Sequence, residues 1–305
     1  MIKQIAAAAL AFGVSATGAL AEYPDRPVSI VVPFPPGDLE DVLTRMVAED
    51  FQEAYGVPTA VINVPGGGGG PFPGAVQVAN APADGSVIGS FVVAVPVVGP
   101  NLGIPELSPN PFEPLGIFLT YPFVIAASGD APYSTMQELA EYAQDNDLVL
   151  GHFGAPLVPT RVTLALADRM GFSYGSDAAF DALDCNTLAS GDADVINTTL
   201  QLILPCLDDV TILASVTGER ISILDDVPTV AEIEPSLNLS LWNGLFVHRD
   251  TPQEVRDAII AVARETMASE RAQTLAEETG ALIYWQNAEE ATAQIEADTD
   301  VINGL

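Results

Sequence analysis

The chain has 305 residues, and 41 aspartates and glutamates against 10 lysines and arginines give a formal net charge of −31. Such a surface repels nucleic acid and anionic membranes and argues against both as partners. It suits an acidic, well-solvated protein in a salty medium, with a polycationic partner as the other reading. Two cysteines and two histidines at the wrong spacing exclude an ordinary metal site, and no cofactor is expected.

The first residues carry the pattern of a targeting segment. Met1-Ile-Lys3 is a short basic start, Ile5 to Ala19 is apolar and small, and Ala19-Leu20-Ala21 matches a small-x-small cleavage site. Residues 1–21 are therefore expected to be a signal peptide, with a soluble, exported chain starting near Glu22. No cysteine lies near the cleavage point to carry a lipid anchor. No later segment offers the roughly 18 uninterrupted apolar residues of a membrane span. Lys3 is the only lysine, so the mature chain has none and Schiff-base chemistry is excluded.

Beyond that segment, strand and helix patterns alternate. Val28–Val32 is an apolar strand, and Leu39–Tyr55 has helical spacing through Val42, Met46, Val47 and Phe51. Thr59–Ile62 predicts a strand, Gly74–Asn80 a helix and Val87–Val95 a strand. The Pro-, Gly- and Asn-rich segment Val98–Pro114 predicts a surface connection. Gly116–Phe118, Phe123–Ala127 and Leu148–Gly151 predict strands, with a helix over Ser134–Asp145. Arg161–Gly171, Ala178–Ser190 and Leu200–Leu207 predict helices, separated by strands that include Val195–Asn197 and Thr211–Ala214. Pro252–Ser269, Glu270–Thr279 and Ala288–Ile302 predict helices, the first introduced by Asp250-Thr251-Pro252. The alternation points to α/β architecture with largely parallel sheets. Cys185 and Cys206 fall on consecutive predicted helices joined through one strand. A disulfide between them is expected, closing a loop of about 20 residues and worth about 3 kcal/mol.

Two loops carry the candidate chemistry. Val32–Asp38 ends a strand and opens directly into a helix. Pro33, Pro35 and Pro36 stiffen it, and Gly37 lets a ligand reach the backbone N–H groups of a helix N-terminus. The competing reading is that Asp38 caps the helix and the prolines make a rigid turn. Asp41 and Arg45 stand four apart, acid first, as an intrahelical ion pair or a ligand contact. Gly66–Gly70 lacks the Lys-Ser/Thr of a P-loop and fits no dinucleotide fingerprint. It is a flexible connection or a backbone cradle for a small anion. Later, Leu150-Gly-His152-Phe-Gly154-Ala-Pro156 repeats the strand-loop-helix arrangement, followed by Thr160-Arg161. Arg161 is either a bidentate carboxylate partner or a surface arginine. His152 reads better as a core or hinge histidine than as a base. No Gly-x-Ser-x-Gly elbow or His-Glu-x-x-His is present, and no catalytic residue is assigned.

Tyr23-Pro-x-Arg26-Pro-Val, Val-Pro-Phe-Pro-Pro-Gly-x-x-x-Asp41-x-x-x-Arg45 and Asn63-x-Pro-Gly-x-Gly-Gly together resemble the tripartite tricarboxylate transporter receptor family, also called the Bug family. So do Ala81-Pro-Ala-Asp84-Gly85, Asp226-Val-Pro-Thr-Val-Ala-Glu232 and Trp242-x-Gly244-Leu-Phe-Val-x-x-x-Thr251-Pro252. The resemblance implies a two-lobed α/β periplasmic binding protein of the Venus flytrap type II architecture, not an enzyme. It would be a monomer whose lobes close on a small organic acid and present it to membrane transporter subunits. Lobe 1 would comprise residues 22–122 plus 228–305, and lobe 2 residues 123–227. Carried over by position, the ligand-binding residues are Pro33, Phe34, Pro35, Pro36, Gly37, Asp38, Leu39 and Asp41, with the cradle Gly66, Gly67, Gly68 and Gly69. The second lobe would add His152, Phe153, Gly154, Ala155, Thr160 and Arg161, with Asn197 and Thr198 at a strand end.

Three departures from the family pattern bear on the cargo. Gly37-Asp38-Leu39-Glu40-Asp41 replaces a glycine-rich segment, and Gly66–Ala75 is about two residues longer than usual. The second-lobe loop is apolar, with Arg161 aligned on a histidine. These changes favour an apolar or aromatic monocarboxylate, or a dicarboxylate pinned by Arg161, over citrate. A periplasmic sensor module and a secreted α/β hydrolase are the alternative functions.

Overall fold

In the computed structural model, residues 23–66 and 70–304 are described. The expected signal peptide and the cradle residues Gly67, Gly68 and Gly69 lie outside them. The chain opens with strand β1 (Val28–Val32), helix α1 (Leu39–Tyr55), β2 (Thr59–Asn63), α2 (Phe72–Ala79), β3 (Val87–Val92) and α3 (Ala94–Val97). Strands β4 (Phe112–Thr120) and β5 (Phe123–Ser128) follow, then α4 (Met136–Tyr142), β6 (Val149–His152), α5 (Val158–Arg169) and β7 (Ser176–Ala179). Next come α6 (Cys185–Ser190), β8 (Val195–Thr199), α7 (Leu200–Ile203), β9 (Val210–Ser215) and α8 (Val230–Ile233). The chain ends with β10 (Trp242–His248), α9 (Gln253–Met267), α10 (Glu270–Thr279), β11 (Leu282–Asn287) and α11 (Ala288–Asn303).

The strands form two sheets, and the order of each explains the shape of the site. One sheet runs β11-β4-β10-β3-β1-β2 and the other β7-β6-β8-β5-β9. The chain leaves the first sheet at Tyr121-Pro122 and returns between β9 and β10, so two connections join the sheets. Tyr121 N–H donates to the Leu241 carbonyl and Val216 N–H to the Phe123 carbonyl, which holds the connections side by side. The sheets are mixed, which corrects the expectation of largely parallel pairing. β1 pairs in parallel with β2 and β3, and β6 with β7 and β8; β10, β11 and β5 pair antiparallel.

Helix α1 shows how the sequence builds the core. Leu39, Leu43, Val47 and Phe51 recur every fourth residue and are all buried against the sheet. Gly56 then ends the helix at φ 69°, its N–H returning to the Gln52 carbonyl. Four predicted elements need correction. Ala178–Ser190 is not one helix: Ser176–Ala179 is drawn into parallel pairing with β6, and the Asp184 side chain then caps α6 by accepting from Asn186 N–H. The predicted strand Val87–Val95 ends at Val92, where Val93 N–H turns to the Trp242 carbonyl and α3 begins. Leu200–Leu207 is helical only to Ile203, after which a 3₁₀ turn runs over Leu204–Asp209 with Pro205 in its first turn. Strand β11 was not anticipated, and β4 begins at Phe112, inside the segment read as a connection. The disulfide joins Cys185 at the start of α6 to Cys206, 21 positions on.

Candidate functional site

Between the sheets lies a cleft of about 610 Å³, counted out to open solvent. Phe34, Asp38, Leu39 and Glu40 line it from the β1–α1 loop and the first turn of α1, and Val92, Val93 and Ala94 from the end of β3. Tyr121 and Leu241 come from the connections, and Phe123 and Trp242 from the first positions of β5 and β10. Phe153, Leu157, Val158, Pro159, Thr199 and Leu202 form the opposite wall. Most of this lining is aliphatic or aromatic, and it contains no lysine, arginine or histidine.

The N-termini of α1 and α5 both open onto this space. Asp38 at the head of α1 and Leu157 at the head of α5 make no side-chain capping bond. First-turn N–H groups have no intrahelical acceptor, and the helix dipole adds partial positive charge at the same place. Among the residues at the α5 end, Pro159 has no N–H, whereas Val158 and Thr160 each retain one. Two uncapped helix starts thus face one cleft from opposite walls.

The β1–α1 loop is held in place by Asp41. Its buried carboxylate accepts from Gly37 N–H at 2.9 Å, from Arg45 Nε and an Arg45 terminal nitrogen, both at 2.9 Å, and from Asn63 Nδ2 at 2.8 Å. Asn63 Nδ2 also donates to the Phe34 carbonyl, and its Oδ1 accepts from Arg45. Burial pushes the Asp41 carboxyl up, but the bonds from Arg45, Asn63 and Gly37 outweigh it and hold the group below the usual range. Gly37 sits at φ 106°, a conformation that disfavours any side chain. The other two acids are driven the opposite way. Burial, then mutual repulsion with Asp38, pushes the Glu40 carboxyl well above its ordinary value, and burial followed by Asp41 raises Asp38.

Of the residues singled out from the sequence, the cleft gathers Phe34, Asp38, Leu39 and Phe153. The rest stand around it. Pro33 is buried beneath the loop, while Pro35 and Pro36 are exposed on it. A Cβ at Gly66 would collide with the Gly70 carbonyl, so this turn accepts only glycine there. His152 is buried, with Nε2 2.7 Å from Asp177 Oδ1. Thr160 Oγ1 donates to the Gly154 carbonyl at 2.8 Å and fastens the loop, with Ala155 exposed at its tip, to α5. Asn197 Nδ2 donates to Thr163 Oγ1, and Thr198 Oγ1 to the Leu183 carbonyl, both beside the second sheet. Arg161 does not line the cleft: it donates to the Ile302 carbonyl at 3.0 Å, in the last turn of α11.

Glu40, Tyr121 and Trp242 are among the lining groups that residue-by-residue reading passed over. The Tyr121 hydroxyl stands near the Glu40 carboxyl and donates to Asn243 Oδ1 at 3.4 Å. Trp242 turns its Nε1 away from the cleft to Asp298 Oδ2 of α11, at 2.7 Å. The signal for Glu40 was present as acid where glycine was expected. Nothing in the local sequence marks Tyr121, which reaches the cleft because the chain changes sheets there.

The sequence profile described as the tripartite tricarboxylate transporter family receptor matches residues 43–302. A UPF0065 protein from the tcbD–tcbE intergenic region of Pseudomonas sp. strain P51 is 28% identical over 286 residues, 88% of this chain and 82% of its own length. The solved periplasmic binding protein BugD is 26% identical with a TM-score of 0.78, over 91% of this chain and 95% of its own. R. palustris Rpa4515, solved with adipate, is 22% identical with a TM-score of 0.79, over 92% and 96% of the two chains.

Proposed function

The chain belongs to the tripartite tricarboxylate transporter receptor family, and from that premise we propose that it is a periplasmic solute-binding protein for a small organic acid with an apolar body. Two uncapped helix N-termini facing one cleft carry this reading. Backbone N–H groups and helix dipoles hold a carboxylate without lysine or arginine. The surrounding Leu, Val, Phe and Trp side chains favour an aliphatic or aromatic body over a polyhydroxylated one. Relatives support the class of ligand, since one of similar fold was solved with adipate and another with malate.

The same reading divides the chain into lobes at its two sheet-to-sheet connections. The first connection is Tyr121-Pro122. The second falls near Leu239–Leu241 instead of at residue 228, because Ile233 borders the same groove as Met136 and Leu213 of the second sheet's lobe. The loaded protein would pass its cargo to membrane transporter subunits. Arg161 is a link between lobes in this scheme, so the expectation of a dicarboxylate pinned by that side chain is withdrawn. Calorimetric titration of the dialysed protein with monocarboxylates, adipate and malate tests the reading. One-to-one binding of at least one acid is expected, and heat-silent titrations across the whole series would reject it.

A further inference from the structure

The carboxylate reading leaves the acid in the cleft without a role. Asp38 and Glu40 both line it, and no basic side chain does. Glu40 is only 3% exposed. The Tyr121 hydroxyl stands near its carboxyl, and neither acid takes part in an ion pair among the described residues. Asp38 stands at the head of α1 and does not cap it, so its carboxyl is not committed to the helix. A buried carboxyl without counter-charge is costly to ionise, and a ligand that brings a cation removes that cost. The rings of Phe34, Tyr121, Phe123, Phe153 and Trp242 line the same space, and aromatic faces attract ammonium groups.

The two walls differ in sign. The α1 wall carries both acids; the α5 wall carries Phe153, Leu157, Val158 and Pro159, with the free N–H groups of a 12-residue helix and no acid. Building on the carboxylate reading, we propose that the solute is a zwitterion: its ammonium group sits against Asp38 and Glu40, and its carboxylate faces the α5 N-terminus. The cleft then selects an amino acid with an apolar body over the corresponding simple acid. Asp38 and Glu40 are specificity determinants, and the α5 end supplies the carboxylate pole common to all ligands.

The test is a pair of matched series, titrated calorimetrically into wild type, Glu40→Gln and Asp38→Asn. One series is 6-aminohexanoate, hexanoate and hexylamine; the other is phenylalanine, 3-phenylpropanoate and 2-phenylethylamine. In at least one series the zwitterion should bind wild type at least tenfold more tightly than the simple acid. Either substitution should remove that advantage, with the variants' melting profiles confirming that they fold. A simple acid that binds as tightly as its zwitterion in both series overturns the ammonium site and leaves the carboxylate reading intact. An advantage that survives both substitutions also overturns it. Binding of the amines alone, with no carboxylate-bearing probe bound, rejects the carboxylate reading and the zwitterion together.

Discussion

Asp41 and Glu40 are adjacent in the first turn of α1, and their carboxyls are driven in opposite directions. Asp41 gathers donors from Gly37, Arg45 and Asn63, whereas Glu40 is buried with a hydroxyl and a like-charged neighbour. Asp41→Asn should therefore cost about 2–3 kcal/mol, because it removes the charge that several donors converge on. Denaturant titration measures this, and ligand affinity should fall with it as the Pro33–Asp38 loop loosens. Glu40 predicts an unusual pH response. The folded state favours its protonated form, so above the ordinary glutamate range the unfolded chain binds fewer protons than the folded one. Its contribution to stability is therefore fully present in acid and is lost as pH rises toward its raised value. Between about pH 5 and 8 the melting temperature of ligand-free wild type should fall relative to Glu40→Gln by about 3 °C or more. Parallel curves for the two proteins would contradict the burial argument.

At the scale of elements, α1 and α10 were readable to the residue: a buried i, i+4 stripe defines α1 from within, the Ser269 cap opens α10, and a glycine ends each. Elements set by partners were not. β11 is an edge strand of Leu-Ile-Tyr-Trp-Gln-Asn whose pairing with β4 no local pattern announces, and β7 is a polar strand held by β6. Arg161 illustrates the same limit: its scarcity suggested a ligand contact, but its partner lies 141 positions away in α11. Arg161→Ala should weaken every bound acid by a similar factor, about three- to tenfold, because it removes a protein–protein contact and not a ligand contact. A loss confined to dicarboxylates would contradict that placement. The disulfide braces α6 against the turn after α7. Replacing Cys185 and Cys206 by serine should lower unfolding stability by about 3 kcal/mol, read by denaturant titration.

Over the whole molecule, the cleft is assembled from segments that meet only because the chain crosses between sheets twice. That explains why the two loops were legible in sequence while the lining was mostly not. Glycine, proline and hydroxyl residues mark where loops bend and are fastened; Asp41 and Thr160 prove to fasten them, and Asn197 ties β8 to α5. The surfaces offered to a ligand come from Glu40, Tyr121, Trp242 and a row of aliphatic side chains whose local sequence does not single them out as lining. Hinge closure about the two connections would bring the α1 and α5 walls together over the solute. Gln201 Nε2 already lies 3.5 Å from the Gly37 carbonyl across the mouth. The most direct measurement is calorimetric titration of the carboxylate series into wild type and into Ala94→Trp, in which an indole replaces a methyl group in the lining of the cleft. The account predicts one-to-one binding of at least one acid to wild type and its loss in the folded variant. Undiminished binding by Ala94→Trp would place the ligand elsewhere and contradict it.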